Sequence, residues 1–275
     1  MGNILDKDFK FNKKYGQNFI FDQNFLNSVV ADADIDKETQ ILEIGTGAAT
    51  LTKTLAKQAK NVVSYEIDEN LKSTIFENLK DVDNVEVVFK DILKASIQEI
   101  EEKFNDEYVL VANLPYYITT PIIFKFLEES TRLKRLVIMV QLEVANRLCA
   151  KPNSKDYGTI TPIIDFMGNA KITRKVSRKM FMPMPNVDSA IVRIDLVPNK
   201  YEIVDRVFLC KVIRGAFSMR RKTLVNNLKS VLNLSSEVLE RVLLKLGFEK
   251  SVRGESLSTE NFVLLSNELY KILNK

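Results

Sequence analysis

Short apolar runs separated by amphipathic segments predict alternating strands and helices over the first two thirds of the chain. The run at residues 108–112 is continuously apolar, which is typical of a parallel strand buried on both faces. The predicted strands in this part of the chain lie at residues 41–44, 61–67, 85–90, 108–112 and 136–140. This alternation predicts an α/β fold with a mostly parallel sheet.

Two further strands and a change of pattern complete the predicted architecture. Residues 171–179 carry five basic residues and no acid, partly in alternation, which is typical of a charged strand at a sheet edge. Residues 187–196 predict the last strand, which brings the expected sheet to seven strands. From Pro198 onward the pattern is helical, so we expect one domain at residues 1–197 and a small all-α domain at residues 198–275.

A glycine-rich turn follows the first predicted strand. Gly45 and Gly47 come directly after the apolar run, and a helical pattern with Leu51 and Leu55 on one face follows them. Strand, glycine-rich turn and helix are the opening of a Rossmann-like unit, in which the backbone approaches a nucleotide ligand. The dinucleotide fingerprint G-x-G-x-x-G is not met, because Thr50 occupies its third glycine position.

Polar side chains stand at the ends of the next three strands. Glu66 ends the second strand, about 20 residues past the glycines, where a carboxylate can bind both hydroxyls of a ribose. Asp91 follows the third strand and can meet an adenine amino group, and Asn113 ends the fourth strand. Because open α/β sheets bind ligands at the carboxyl ends of their strands, we expect these side chains to share one site.

The segment Asn113-Leu114-Pro115-Tyr116 has the chemistry to hold a flat heterocycle that carries an amino group. Leu114 precedes a proline and is therefore extended, which frees its carbonyl, and Asn113 adds a side-chain carbonyl. Two carbonyls can accept the two N–H bonds of the amine while the ring of Tyr116 stacks on the base. The alternative for such a segment taken alone is a strand-ending turn with a core tyrosine.

Composition limits the remaining chemistry. The 275 residues include no histidine, which excludes a histidine general base, a Ser-His or Cys-His pair and a His-ligated zinc, and we expect no metal. Cys149 and Cys210 are far apart in apolar surroundings, which predicts reduced thiols in a cytoplasmic protein. Residues 1–14 lack a signal-peptide apolar core, and no run approaches the roughly 20 apolar residues of a membrane span.

Charge is unevenly distributed along the chain. Residues 198–275 hold 14 Lys and Arg against 8 Asp and Glu, a net charge of +6, and the remaining chain holds 26 against 28, a net charge of −2. This asymmetry predicts a polyanionic partner. The candidates for phosphate contacts are Arg220, Arg221 and Lys222. Residues 10–25 interleave basic, aromatic and amide residues, and a packed N-terminal arm is favoured there over a lid with Lys13 and Lys14 near phosphate.

These motifs resemble a known family when taken in combination. The glycine turn, Glu66, Asp91 and the Asn113–Tyr116 segment are similar to those of S-adenosylmethionine-dependent adenine amino-methyltransferases. Two more segments, at residues 15–20 and 181–189, resemble the small-subunit rRNA adenine dimethyltransferases (KsgA/RsmA-like), and the match covers nearly the whole chain. The chain departs from the family pattern at Ile20, where leucine is usual, and at Ala49, where glycine is common.

The resemblance implies a Rossmann-like S-adenosylmethionine-dependent methyltransferase domain with a C-terminal RNA-binding domain. The residues that it implies for the cofactor are Asn18, Ile20, Gly45, Glu66, Asp91 and Asn113. The implied substrate is the 16S rRNA of the small ribosomal subunit or its precursor, at two adjacent adenines in a loop near the 3′ end. We expect Asn113, Leu114 and Tyr116 to hold the target base, Phe181 to close its opposite face, and the enzyme to be a monomer.

Several alternatives stay open at this point. A large-subunit (23S) dimethyltransferase of the macrolide-resistance type has the same chemistry on a different RNA. A DNA adenine methyltransferase shares the Asn-x-Pro-Tyr logic but usually needs a sequence-reading domain. A non-catalytic RNA-binding assembly factor is disfavoured, because Glu66, Asp91 and Asn113 are intact. An NAD-dependent enzyme is least favoured, because nothing supplies an acid or base for a carbonyl substrate.

Overall fold

Seven strands form one sheet within residues 16–274, which are the residues that the computed structural model describes. The strands are β1 (Gln40–Ile44), β2 (Asn61–Glu66), β3 (Val85–Phe89), β4 (Tyr108–Asn113), β5 (Leu133–Gln141), β6 (Gly168–Val176) and β7 (Ser189–Leu196). Their order across the sheet is β3-β2-β1-β4-β5-β7-β6. The first five strands pair in parallel, and β7 runs antiparallel to β5. The predicted mostly parallel sheet is therefore confirmed.

Helices connect the strands and form the C-terminal part of the described chain. They are α1 (Gln23–Ala33), α2 (Thr50–Ala56), α3 (Lys72–Leu79), α4 (Ile97–Glu101), α5 (Thr119–Glu129), α6 (Leu142–Leu148), α7 (Ile160–Met167), α8 (Arg206–Ala216), α9 (Leu224–Leu232), α10 (Ser236–Lys245) and α11 (Thr259–Leu273). Between residues 16 and 274, none of them is long and apolar enough to cross a membrane. Lys13, Lys14 and Tyr15, part of the predicted N-terminal arm, lie outside the described residues.

The strand order places a ligand-binding position beside β1. The chain passes from β1 to β2 on one side, and β4 then pairs with β1 on the other side. Such a switch point leaves a crevice at the carboxyl ends of the strands, because the connections leave the two strands in opposite directions. β1 is buried along its whole length, and β4 is buried from Tyr108 to Ala112, so the strands at the switch point form the rigid centre of the sheet.

β5 is longer than the sequence predicts. It begins at Leu133, whereas the apolar pattern predicts a start at residue 136, because Lys134 and Arg135 interrupt that pattern. Arg135 is tolerated within the strand since its guanidinium forms an ion pair with Asp195, its direct partner across the β5–β7 ladder. The same guanidinium donates to the carbonyl of Ala33 at 2.7 Å, so a charge inside the sheet is paired rather than exposed.

The described residues divide into two compact units. The first contains the residues up to Ala145 together with Lys171–Leu196, and the second contains Asn146–Ala170 together with the residues from Val197 onward. The sequence places a boundary at residue 197 but does not anticipate that residues 146–170 group with the C-terminal helices. The two-domain division stays a prediction, since a grouping by contact does not test whether either part folds alone.

The second unit is built from amphipathic helices around α8. The side chain of Asp205 caps α8, because it accepts a hydrogen bond from the N–H of Phe208 at 2.7 Å. Gly215 lets α9 pack closely, since a Cβ atom at this position would lie 3.1 Å from Leu228. Lys200 is one of the residues that connect α7 to the rest of this unit. Its Nζ donates to the carboxylate of Asp165 at 2.8 Å and to carbonyls at the C-terminal end of α7, where a cation is stabilised by the helix dipole.

Candidate active site

The carboxyl ends of β1, β2 and β4, together with the segment after β3, surround a cavity of about 280 Å³. The N-terminal segment at residues 16–20 forms another part of its wall. The predicted site residues that line it are Asn18, Ile20, Gly45, Glu66, Asp91, Asn113, Leu114 and Tyr116. The structure therefore brings together every residue expected to line the cofactor and three of the four expected to hold the target base. This agreement follows from topology, because parallel strands end at one edge of the sheet.

The glycine-rich turn uses left-handed backbone conformations. Gly47 has φ +57°, and a Cβ atom at this position would lie 2.7 Å from the ring of Phe19, so a larger residue would displace the cavity wall. Ala49 also has a positive φ, of 60°, which is unusual for a residue with a Cβ atom. Its methyl group is buried in a small cluster that includes Phe19 and Leu71.

Glu66 is held by three backbone N–H groups. Its Oε1 accepts from Ile67 and Asp68, each at 2.9 Å, and its Oε2 accepts from Gly47 at 2.9 Å. Burial raises the pKa of the carboxyl above its usual value, and the three N–H donors oppose that shift. A carboxylate can accept about four hydrogen bonds, two on each oxygen. Since Oε1 accepts two and Oε2 accepts one, Oε2 keeps one position for a ligand hydroxyl. The carboxylate is thus fixed in place with a single strong acceptor position left.

Asp91 has a simpler environment. Its Oδ1 accepts from the N–H of Leu93 at 3.0 Å and thereby orients the carboxylate, and the side chain lines the cavity. No described residue donates to its Oδ2, which leaves that oxygen available to an amino group. A contact from this acceptor to a purine amine stays a prediction.

Asn113 is oriented by the N-terminal segment of the cavity wall. Its Nδ2 donates to the carbonyl of Asn18 at 2.9 Å, which fixes the plane of the amide and turns Oδ1 the other way. Among residues 16–274, none donates to Asn113 Oδ1 or to the carbonyl of Leu114. The backbone of Leu114 is held by its N–H, which donates to Met139 at 3.3 Å. Two carbonyl acceptors that receive no hydrogen bond from the described residues therefore follow each other along the cavity wall.

Tyr116 is a neutral phenol with a tethered ring. Its hydroxyl and the buried Ser189 hydroxyl lie 2.8 Å apart and share a hydrogen bond. Partial burial raises the pKa of Tyr116 above its usual value, and the bond to Ser189 opposes the shift. Since the hydroxyl is fixed at β7, the ring has little freedom to turn, which suits a stacking surface.

Phe181 does not reach the cavity. Its side chain is 5% exposed and packs in the core with Ile20, Val176 and Ile191. The backbone of the next residue, Met182, pairs with Phe19 through bonds of 2.8 and 2.9 Å. Phe181 thus supports the wall from behind, and a stacking role stays a prediction that requires the ring to leave the core.

The predicted phosphate contacts lie in the second unit. Arg220, Arg221 and Lys222 are exposed on the turn between α8 and α9 rather than on a helix face. Arg220 donates to the carbonyl of Lys155 at 2.6 Å and lies 3.6 Å from the carboxylate of Glu255. One of the three cations is therefore partly engaged within its own unit. The part of the chain that the structure describes contains no group of three or more His, Cys, Asp or Glu side chains that could hold a metal ion.

A buried carboxyl that sequence reasoning missed lies under the glycine turn. Glu43 in β1 is fully buried, and its Oε2 accepts from Ser64 at 2.6 Å and from Thr52 at 2.7 Å. The Ser64 hydroxyl is in turn 2.6 Å from that of Thr46, which belongs to the turn, while Oε1 has no hydrogen-bond partner. Burial raises the pKa of Glu43 to about 8. The sequence signal for this buried acid was a glutamate between two apolar residues of a predicted buried strand.

Nearly the whole chain is similar to known proteins that modify ribosomal RNA. A family model described as Ribosomal RNA adenine dimethylase matches residues 8–271. A relative from Bacillus cytotoxicus, "Ribosomal RNA small subunit methyltransferase A", is 44% identical, with 97% of this chain and 94% of the relative covered.

Two solved structures are also similar to this chain. A dimethyladenosine transferase from Plasmodium falciparum has a TM-score of 0.80 and 26% identity, and the alignment covers 92% of this chain and 98% of that protein. The 23S rRNA methyltransferase ErmE has a TM-score of 0.70 and 25% identity, and the alignment covers 92% of this chain and 100% of that protein.

Replacing Glu43 with an amide should remove a pH dependence of stability. The pKa of Glu43 is raised from 4.5 to about 8, so between these values the folded state keeps a proton that the unfolded state has released. Its contribution to stability is therefore complete below the unfolded pKa and lost as pH rises through the folded pKa, at up to about 1.4 kcal/mol per pH unit. In urea unfolding at pH 5 to 8, the free energy of unfolding of Glu43→Gln should rise relative to that of the wild type as the pH increases.

The exposed Glu69 provides the matched control for this measurement. Glu69→Gln should follow the wild-type pH profile within error. Parallel profiles for the wild type and Glu43→Gln would contradict the assignment of a protonated buried acid.

Proposed function

The chain belongs to the ribosomal RNA adenine dimethylase family, and from this membership we propose that it dimethylates adenine amino groups of small-subunit rRNA, with S-adenosylmethionine as the methyl donor. The observation that carries the proposal is a pair of acceptors beside the ring of Tyr116, Asn113 Oδ1 and the Leu114 carbonyl, which receive no hydrogen bond from residues 16–274. Two acceptors and a stacking face are what a planar base with an exocyclic NH₂ requires.

The choice of small-subunit RNA rests on similarity. The relative named for the small ribosomal subunit is 44% identical over nearly all of this chain, whereas the 23S methyltransferase ErmE is 25% identical. The location of the target, two adjacent adenines in a loop near the 3′ end of 16S rRNA, rests on the family resemblance. Single-stranded loops suit the reaction, since their bases enter a pocket at little unpairing cost. The competing candidate is large-subunit RNA, because the ErmE fold also spans 92% of this chain.

The residues around the cavity fit S-adenosylmethionine. Glu66 Oε2 would accept a ribose hydroxyl, Asp91 would accept from the adenine amine, and the left-handed glycine turn lets the backbone approach the ligand. Asn18 and Ile20 would close the cavity from the N-terminal side. When bound, the cofactor supplies a sulfonium methyl group that is already electrophilic.

The chain itself contributes orientation rather than a base. Adenine N6 is a poor nucleophile because its lone pair is shared with the ring. Hydrogen bonds to Asn113 Oδ1 and the Leu114 carbonyl favour a tetrahedral nitrogen whose lone pair leaves the ring plane. The bond from Asn113 Nδ2 to Asn18 preorganises the first of these acceptors. Amide oxygens are too weakly basic to deprotonate the amine beforehand, so its proton leaves once the nitrogen has become cationic, consistent with a chain that has no histidine.

The exposed Arg220, Arg221 and Lys222 in the basic C-terminal part would contact RNA phosphates. A cytoplasmic, monomeric enzyme is the expectation for a ribosome-modifying protein whose Cys149 and Cys210 form no disulfide.

The cofactor assignment predicts a specific loss of affinity. Removing the Glu66 carboxylate should weaken S-adenosylmethionine binding tenfold or more, because hydrogen bonds to charged groups contribute about 1.5–3 kcal/mol. Calorimetry on Glu66→Ala would measure this, with circular dichroism to verify folding. Glu66→Gln, which keeps one acceptor oxygen, should lose less, and Glu69→Ala should bind normally. Unchanged affinity in Glu66→Ala would remove Glu66 from the site.

The catalytic assignment predicts a separation of turnover from binding. Asn113→Ala should lower kcat by about 10²–10³, the usual cost of removing one preorganised acceptor or donor, while the Kd for RNA changes little. Single-turnover methyl transfer and filter binding with the same RNA would give the two quantities. Near-normal turnover in the variant would refute the role of the amide.

The substrate assignment is tested by offering both ribosomal subunits. Small and large subunits that lack these methyl groups are incubated with the enzyme and labelled S-adenosylmethionine. We expect label in small-subunit rRNA, recovered as dimethyladenosine after digestion. Label chiefly in large-subunit rRNA would make the resistance-type alternative correct.

A further inference from the structure

The loop at residues 182–188, here called the rim loop, is fastened to the cavity wall at both ends. At one end the backbone of Met182 pairs with Phe19, which lines the cavity. At the other end the loop leads into Ser189, whose hydroxyl is bonded to Tyr116, and the carbonyl of Asp188 accepts from Leu142 at 3.0 Å. The rim loop therefore runs beside the position proposed for the target base.

The rim loop exposes apolar side chains that packing does not explain. Met182, Met184 and Val187 are 46%, 57% and 44% exposed. Tyr117, on the segment after Tyr116, is 58% exposed and also lines the cavity. Isolated exposed apolar residues are ordinary, but several beside one cavity mark a place where a ligand or partner is held.

Cations precede the rim loop along the chain. Lys175 at the end of β6 and Lys179 in the turn before Phe181 are exposed, and neither forms an ion pair within residues 16–274. Arg174, the residue before Lys175, is instead paired with Asp32, with 2.7 Å between its Nε and Oδ2 of the carboxylate. β7 begins where β5 ends, since Ser189 pairs with Gln141, so the β6–β7 connection lies at the carboxyl edge of the sheet. These cations therefore flank the same edge as the cavity.

Single-stranded nucleic acid is commonly held by side chains that stack on its bases, usually aromatic ones, inside a positively charged groove. We propose that the rim loop binds the nucleotide adjacent to the target adenine, with Met182 and Met184 against its base and Lys175 and Lys179 on the neighbouring phosphates. When the target base enters the cavity, its neighbour loses a stacking partner. The methionines replace that partner, and their unbranched, polarisable side chains adapt to any base. This inference rests on the proposed function, because it assumes an RNA substrate.

Two double variants of the full-length protein separate the two contacts. Met182→Gln with Met184→Gln keeps side-chain length and removes the apolar surface, and Lys175→Gln with Lys179→Gln removes two charges. The controls are Leu244→Gln, at an exposed apolar residue of α10, and Lys60→Gln with Lys80→Gln, at lysines already paired with Glu38 and Glu77. None of these side chains belongs to the cofactor site.

The probe is a single-stranded RNA oligonucleotide with 2-aminopurine next to an adenine, together with unmethylated small subunits. Wild-type binding should raise the 2-aminopurine fluorescence as that base leaves its neighbours. The methionine variant should bind the RNA roughly tenfold more weakly, with a smaller fluorescence rise and an unchanged salt dependence. The lysine variant should reduce the slope of log K against log salt by about 1.4, for two phosphate contacts on a single strand. Affinity for S-adenosylmethionine should not change in either variant.

Normal RNA affinity and fluorescence in the methionine variant would overturn the inference, as expected if the rim loop instead docks a protein. An unchanged salt slope in the lysine variant would likewise overturn the phosphate contacts. Both readouts measure RNA binding and not methyl transfer, so they test the inference independently of activity. If the wild type methylates no small-subunit RNA, the proposed function is wrong, and the binding data still decide whether the rim loop holds a nucleotide.

Discussion

The hydrogen bond from Asn113 Nδ2 to the carbonyl of Asn18 is the contact on which the geometry of the site depends. It joins the end of a central strand to a segment 95 residues earlier in the chain. Because an amide has a donor end and an acceptor end, engaging the nitrogen decides where the oxygen points. The N-terminal segment therefore both closes the cavity and sets the direction of the group proposed to hold the amine.

Two carboxyl groups at this edge of the sheet are buried in different ways. Glu66 is surrounded by backbone N–H donors, which favour its charged form, and it faces the cavity. Glu43 has only hydroxyl donors and is fully enclosed, so desolvation dominates and the neutral form persists to a higher pH. Neighbouring strands thus carry one acid suited to binding and one suited to supporting the turn through Ser64 and Thr46.

Much of the fold and the cavity lining was predictable from sequence, because strand ends in a parallel sheet must converge. Glu66, Asp91 and Asn113 were recognisable as polar residues at the ends of apolar runs. What sequence periodicity does not contain is the direction of a side chain in a loop, which is why Phe181 was expected at the cavity and lies in the core. Grouping of residues 146–170 with the C-terminal helices rests on tertiary contacts, such as the hydrogen bonds of Lys200 and of Tyr157, which no local pattern records.

The left-handed Ala49 shows that the glycine turn can hold a residue with a Cβ atom. A residue with a Cβ atom in this conformation is strained by about 1–2 kcal/mol relative to glycine. Glycine would relieve that strain but would cost about 0.5–1 kcal/mol in chain entropy and forfeit about 0.8 kcal/mol from the buried methyl group. These opposing quantities nearly cancel, so the left-handed turn tolerates the methyl group of Ala49 at little net cost in folding free energy.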